Sequence, residues 1–243
     1  MPLLVNPDHL MPDDYSPTVV SVGGNYKLES KAAAAWQDMQ AAASRDGVSL
    51  WIISAYRTLE RQTELYQEKV EEYKNLGYNE GDAKIEAGKW VAVPGTSEHC
   101  LGYAADLCSL EENFENSDQF AWLQKHCAEY GFILRYPKDK TAITGTSFEP
   151  WHYRYVGVED AQKIMAQGLC LEEYLAKVDD SVAAQVAAAL QNTGVAGTDT
   201  ETGAASGSAA PENAASGSAA PASGSQALSN GGAAAAGGNA PGA

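Results

Sequence analysis

TSEHCLGYAADLCS, residues 96–109, carries the signal that decides the fold. From Tyr103 onward, Tyr103, Ala105 and Leu107 alternate with Ala104, Asp106 and Cys108, the two-residue period of a strand, which puts Asp106 on the face opposite its neighbours. The preceding segment is a turn, where Gly95 and Gly102 give the backbone the freedom a sharp reversal needs. His99 sits in that turn seven positions before Asp106, in a chain of 243 residues with four histidines. Two readings compete. One is a surface turn that runs into a buried strand, and the other is half of a metal site. Spacing alone favours the turn, because a histidine and an aspartate at this separation meet by chance in many proteins.

Working outward, SKAAAAWQDMQAAASRDG (30–47) spaces Trp36, Met39 and its alanines as a helix over 31–45, with Gly47 as the C-terminal stop. VSLWIISAYR predicts a buried strand over 48–53 that delivers Ser54, Tyr56 and Arg57 at its end. Thr58 caps a second helix, on which Leu59, Leu65, Tyr66, Val70 and Tyr73 recur at three- and four-residue spacing. Residues 79–93 have a mixed pattern and read as a lobe or loop near the cleft. Ser117 or Asp118 opens a helix to about Tyr130, stopped by Gly131; FILRYP (132–137) and EPWHYRYVG (149–157) are strand-like, joined by a turn at DKTAITG (139–145). Closing helices follow from Val158 to Val178. Helices mixed with antiparallel-looking strands predict an α+β domain: a small antiparallel sheet with flanking helices and a cleft.

The domain spans about residues 3–178. From Ser181 to the end at 243 the sequence is almost entirely Ala, Gly, Ser, Pro, Asn and Thr, with the near-repeat AASGSAAPEN and AASGSAAPAS and no aromatic residue. Such a stretch cannot offset the entropy of ordering its backbone, so it reads as a disordered low-complexity tail. All sixteen basic residues but only twenty-nine of the thirty-two acidic ones precede Ser181, leaving the domain at about −13. That field disfavours nucleic acid and anionic membranes as partners. No apolar run is long enough to span a bilayer, and MPLLVNPDHL has neither n-region nor h-region. Four cysteines, 100, 108, 127 and 170, allow three full pairings and fix no compartment.

The chemistry-bearing residues fall in three segments. His99, Asp106 and His152 offer two imidazoles and a carboxylate, a donor set that leaves a zinc ion one open position for water. In EPWHYRY, Glu149 stands three residues before His152 with Pro150 fixing the backbone between them, where a carboxylate can take a proton from water and pass it on. The bland alternative is an edge strand with Glu149 and Arg154 paired on its wet face; a tryptophan and two tyrosines in seven residues weigh against it. Arg57, at a strand end, can bind a carboxylate or an oxyanion, or merely form a surface ion pair. Ser54 lacks the elbow of a serine hydrolase, and Cys100 diverges from adjacent His99. His9 and His126 read as structural or exposed.

Together, SAYRTLERQ (54–62), SEHCLGYAAD (97–106) and EPWHYRY (149–155) resemble, in order and wording, the motifs of the VanY-type D-alanyl-D-alanine carboxypeptidases, zinc peptidases of the bacterial cell wall. The middle segment matches Ser-x-His-x-x-Gly-x-Ala-x-Asp at Ser97, His99, Gly102, Ala104 and Asp106, and the likeness covers about residues 3–176. The resemblance implies one Zn2+ per chain on His99, Asp106 and His152, with Glu149 as catalytic base and then acid. It implies that Arg57 contacts the substrate or the tetrahedral intermediate, and that Ser97, Gln62, Ser54 and Tyr56 line or support the substrate site. Cys100, at a variable motif position, is then open to a bridge with Cys108, Cys127 or Cys170. The implied partner is a peptidoglycan stem peptide or its precursor, cleaved by a monomer outside the membrane behind a signal or anchor that the given sequence does not contain. Rival substrates within the family are the L,D bond of a tetrapeptide and free D-Ala-D-Ala. A rival of another class is a non-catalytic cell-wall binding module, disfavoured by retention of every prospective ligand, the base and the arginine.

Overall fold

The computed structural model describes residues 1–192. Its elements in chain order are β1 (Val19–Gly23), β2 (Tyr26–Glu29), α1 (Ser30–Arg45), β3 (Ile52–Ser54), α2 (Leu59–Asn75), α3 (Glu80–Gly88), β4 (Ala104–Leu107), α4 (Asp118–His126), β5 (Phe132–Leu134), α5 (Thr141–Thr144), β6 (His152–Tyr155), α6 (Val158–Ala166), α7 (Leu171–Leu175) and α8 (Asp180–Asn192). A short 3-10 helix, Glu98–Leu101, precedes β4. The domain is α+β, as the pattern of the sequence implied.

Four strands form the antiparallel sheet β3-β4-β6-β5, with β4 and β6 at its centre. The alternation read from β4 is realised. Ala105 and Leu107 join Ile52, Tyr153, Phe132 and Leu134 in the main core, against Trp36, Met39 and the buried alanines of α1. Asp106 points to the other face, where Ile133 meets a second apolar cluster from α6 and α7. Both faces are covered, so all four residues of β4 are buried. Helix α1 buries Ala32, Ala33, Trp36, Met39, Ala42 and Ala43 along one stripe. Thr58 caps α2 by accepting from the Arg61 amide, and Ser117 caps α4 by accepting from Phe120.

Several boundaries move. The strand expected over 48–53 pairs at Ile52–Ser54, and the helix expected to reach Tyr130 ends at His126, tightening into a 3-10 turn, Cys127–Tyr130. Gly131 then ends it at φ +80°, where an added Cβ would lie 2.8 Å from the Tyr155 ring and 2.9 Å from the Gly157 carbonyl carbon. The 79–93 lobe contains α3, capped by Asn79 and packed through Ala83 and Ala87 on Val70 of α2. The β1–β2 hairpin, turning through Gly23 and Gly24, is an element the sequence reading passed over.

One expectation needs correction, and one open alternative is decided. The stretch assigned to tail from Ser181 begins instead with α8, whose Val182 is buried against α7; alanine-rich SVAAQVAAALQN has high helix propensity and places Val182 and Val186 on one side. The rest of the expected tail, 193–243, lies outside the described residues. All four cysteines are buried free thiols, so no bridge involves Cys100. Burial pushes the Cys100 thiol up to about 11 and Cys127 and Cys170 up to about 12, which makes them inert packing groups.

Candidate metal centre and cleft

Strand register assembles the site. Ser54 of β3 pairs with Asp106 of β4, and Asp106 pairs with His152 of β6, so three neighbouring strands present their side chains to one face. His99 comes from the 3-10 helix, which ends at Gly102 with φ +78°. That glycine is required twice over: by its left-handed backbone, and because a Cβ there would press to 3.0 Å from the Glu29 amide, which donates to the Gly102 carbonyl. The hairpin thus pins the turn that aims His99.

Ligand atoms of His99, Asp106 and His152 all lie within 4.8 Å of one another. Nε2 of His99 is 3.3 Å from Asp106 Oδ2, and Nδ1 of His152 is 3.1 Å from Asp106 Oδ1. His99 Nδ1 donates to the Ala55 carbonyl at 2.8 Å, which leaves the Nε2 lone pair for a cation. Asp106 Oδ1 is buried without a hydrogen-bond partner. Burial opposes ionisation of Asp106, but His99 and His152 outweigh it and hold the carboxyl far below the usual carboxylate range. Burial, aided by Arg57, lowers the imidazolium stability of His99 and keeps it neutral, the state a metal ligand needs. Burial also works against His152, yet the neighbouring carboxylates of Asp106 and Glu98 outweigh it and raise it to about 9. Two nitrogens, one anionic oxygen and an orphaned acceptor suit zinc with one position left open.

Glu149 stands beside the triad, Oε2 3.5 Å from His152 Nδ1. Its amide donates to Tyr136 O and its carbonyl accepts from the His152 amide, so the backbone bend at Pro150 fixes the pair. Burial pushes its carboxyl up to about 7, and His152 pulls in the opposite direction. Arg57 is anchored from behind: Nε and Nη2 donate to Ser54 Oγ at 3.0 and 2.7 Å, and Nη1 donates to Gln62 Oε1 at 3.2 Å. Nη2 also reaches Asp106 Oδ2 at 3.2 Å. Gln62, fully buried, is itself held by the Ala92 carbonyl at 2.8 Å.

These groups open onto a cleft of about 310 Å³, in the size range of small-ligand sites. Ser97, His99, Asp106, Glu149, His152 and Arg57 line it. Ser54, Gln62 and Tyr56 do not: the first two act on Arg57, and the Tyr56 amide donates to Lys27 O beneath the hairpin. The sequence reading missed Glu98, Tyr136 and Trp151, which also line the cleft; the far wall is Gly88–Val93, within the 79–93 segment expected near it. Tyr136 lies with its ring 4.9 Å from that of His152 and was hidden in a segment read as strand. His9 and His126 stay apart, His126 in a surface contact with Glu129.

Residues 25–158, which contain every one of these site residues, match the family model described as VanY: D-alanyl-D-alanine carboxypeptidase. The chain belongs to the VanY family. A D-alanyl-D-alanine carboxypeptidase of Enterococcus faecalis is 47% identical over 173 residues, covering 71% of this chain and 65% of that protein, so the match spans just under two thirds of the relative. Among solved structures, a mutant of the D,D-pentapeptidase VanY from a VanB-type vancomycin-resistance cassette, in complex with Zn(II), is 46% identical with a TM-score of 0.65, over 71% of this chain and 97% of that one. The LD-carboxypeptidase LdcB is 34% identical with a TM-score of 0.64, over 72% and 86%.

Proposed function

We propose that the protein is a zinc-dependent D,D-carboxypeptidase that hydrolyses the terminal D-Ala-D-Ala bond of peptidoglycan stem pentapeptides or their precursors and releases D-alanine. One observation carries this reading: the His99–Asp106–His152 donor group opens onto a cleft that also holds a buried carboxylate, Glu149, and an anchored arginine, Arg57. The higher identity to a D,D-pentapeptidase than to an LD-carboxypeptidase supports the D,D bond. An extracytoplasmic site of action follows from the substrate; among the described residues no helix is long and apolar enough to cross a membrane.

His99, Asp106 and His152 would hold one zinc ion per chain, which would supply Lewis acidity and lower the pKa of a bound water towards neutrality. Glu149 accepts the proton of the attacking water and returns it to the nitrogen of the departing D-alanine. Burial, which pushes this carboxyl up to about 7 in the metal-free protein, favours the acid half of that task. Arg57 receives the negative charge of the substrate, as a terminal carboxylate or as the developing oxyanion, and Ser54 and Gln62 hold its guanidinium in place. In a chain of net charge −16 this local cation is what lets an anionic peptide end approach. Ser97 contacts the peptide from the cleft wall.

The test is release of D-alanine from an acylated Lys-D-Ala-D-Ala peptide by the zinc-loaded protein. Chelation should abolish it and added zinc restore it. A folded, zinc-loaded protein that releases none would refute the proposal and favour a binding module.

A further inference from the structure

We propose that Glu98 is a positioning residue: clamped by two arginines, its carboxylate accepts the Nε2–H of His152 and so fixes the ring with Nδ1 turned to the metal centre. This rests on the reading of His152 as a metal ligand. Glu98 directly precedes His99 in a turn, where a glutamate ordinarily faces water, yet its side chain is wholly buried. Oε1 takes the Nε–H of Arg135 at 2.7 Å and lies 2.9 Å from Nη1 of Arg154. Arg135 thus holds this oxygen by a hydrogen bond and Arg154 by charge alone, since Arg154 Nη1 makes no hydrogen bond there. Its other oxygen, Oε2, is buried without a hydrogen-bond partner and lies 3.6 Å from His152 Nε2, itself buried and partnerless. Two complementary orphaned atoms thus face each other, a few tenths of an ångström beyond bonding distance.

The ring's two nitrogens divide the roles. Nδ1 lies 3.1 Å from Asp106 Oδ1 and 3.5 Å from Glu149 Oε2, on the cleft side. A neutral imidazole that offers its Nδ1 lone pair there must carry its proton on Nε2, and a buried N–H needs an acceptor. Glu98 Oε2 is that acceptor. The clamp extends further: Arg135 makes a two-pronged pair with Glu172 of α7 at 2.8 and 2.6 Å, and Glu172 also takes the Asn6 side-chain amide at 3.1 Å. Helix α7 is thereby tied to the ligand through Arg135 and Glu98.

Two variants separate positioning from bulk stability. Glu98→Gln and Glu172→Gln each remove one carboxylate from Arg135, and both should lower the melting temperature. Glu98→Gln alone should weaken zinc binding, by about 10–100-fold in competition with a chromophoric chelator, whereas Glu172→Gln should leave the zinc Kd unchanged. In the zinc-loaded wild type, proton NMR should show the His152 Nε2–H downfield and protected from exchange, a measurement that needs no variant. Absence of that resonance, or equal zinc affinity in Glu98→Gln and wild type, would overturn the proposal. His152→Ala distinguishes the two levels: if it binds zinc as wild type does, the ligand assignment itself fails, whereas if it loses zinc and Glu98→Gln does not, only the role of Glu98 fails.

Discussion

Replacing Glu149 with glutamine isolates the proton-transfer group from everything else in the cleft. Three carboxylates line the cleft, Glu98, Asp106 and Glu149. Asp106 lies among the metal donors and Glu98 is held by Arg135 and Arg154, so no other carboxylate is free to take over as base. Glutamine matches glutamate in shape, and the contacts that place residue 149, to Tyr136 O and from the His152 amide, are made by backbone atoms that the substitution leaves alone. One zinc per chain should therefore remain. Losing a group that acts first as base and then as acid should lower kcat by about 10²–10⁴-fold, or about 3–5 kcal/mol of barrier at 1.36 kcal/mol per tenfold. The assay pairs single-turnover D-alanine release with metal analysis of the same sample. Wild-type-like hydrolysis by the zinc-loaded variant would refute the assignment of Glu149.

Further perturbations probe the remaining parts. Arg57→Lys keeps the charge but loses the fork that Ser54 and Gln62 hold, and should cost about 1.5–3 kcal/mol in kcat/KM with zinc content unchanged; an unaltered kcat/KM would contradict a substrate role. His152, held protonated up to about pH 9 in the metal-free protein, must become neutral to ligate, so zinc uptake near neutral pH should release about one proton. Calorimetry in buffers of different ionisation enthalpy reads that number, and zero release would contradict His152 as ligand. Its folded-state value lies above the unfolded one, so the metal-free protein gains stability from His152 below about pH 6.5 and should lose it as pH rises towards 9. Gly131→Ala, strained by φ and by backbone 2.9 Å away, should destabilise by more than about 1 kcal/mol in denaturant melts. Val182→Ala should cost two buried methyl groups at about 0.8 kcal/mol each if α8 packs as described, and no shift in the urea midpoint would detach the helix from the domain.

The ligand triad was legible because two separate signals converged on one face. Alternation in β4 set Asp106 opposite Ala105 and Leu107, and EPWHYRY supplied a histidine on a second strand; what neither shows is the register Ser54–Asp106–His152, which depends on long-range pairing. Glu98 was illegible for a physical reason. Its partners Arg135 and Arg154 lie 37 and 56 positions away, and a charged residue in a turn has water as its default surroundings until folding brings two guanidiniums onto it. Composition misled at Ser181, where alanine counted as low complexity although Val182 and Val186 sit four apart on a helix. Arg57 illustrates the middle case: its place at a strand end was readable, while the division of labour among Ser54, Gln62 and Ser97 required the hydrogen bonds themselves.

The most direct test of the central claim is product analysis by mass spectrometry after the zinc-loaded protein meets a stem pentapeptide, a tetrapeptide and D-Ala-D-Ala in one mixture. The expected result is loss of a single D-alanine from the pentapeptide, with tetrapeptide accumulating and the dipeptide untouched. Consumption of tetrapeptide or dipeptide with the pentapeptide intact, or no product at all, would contradict a D,D-carboxypeptidase.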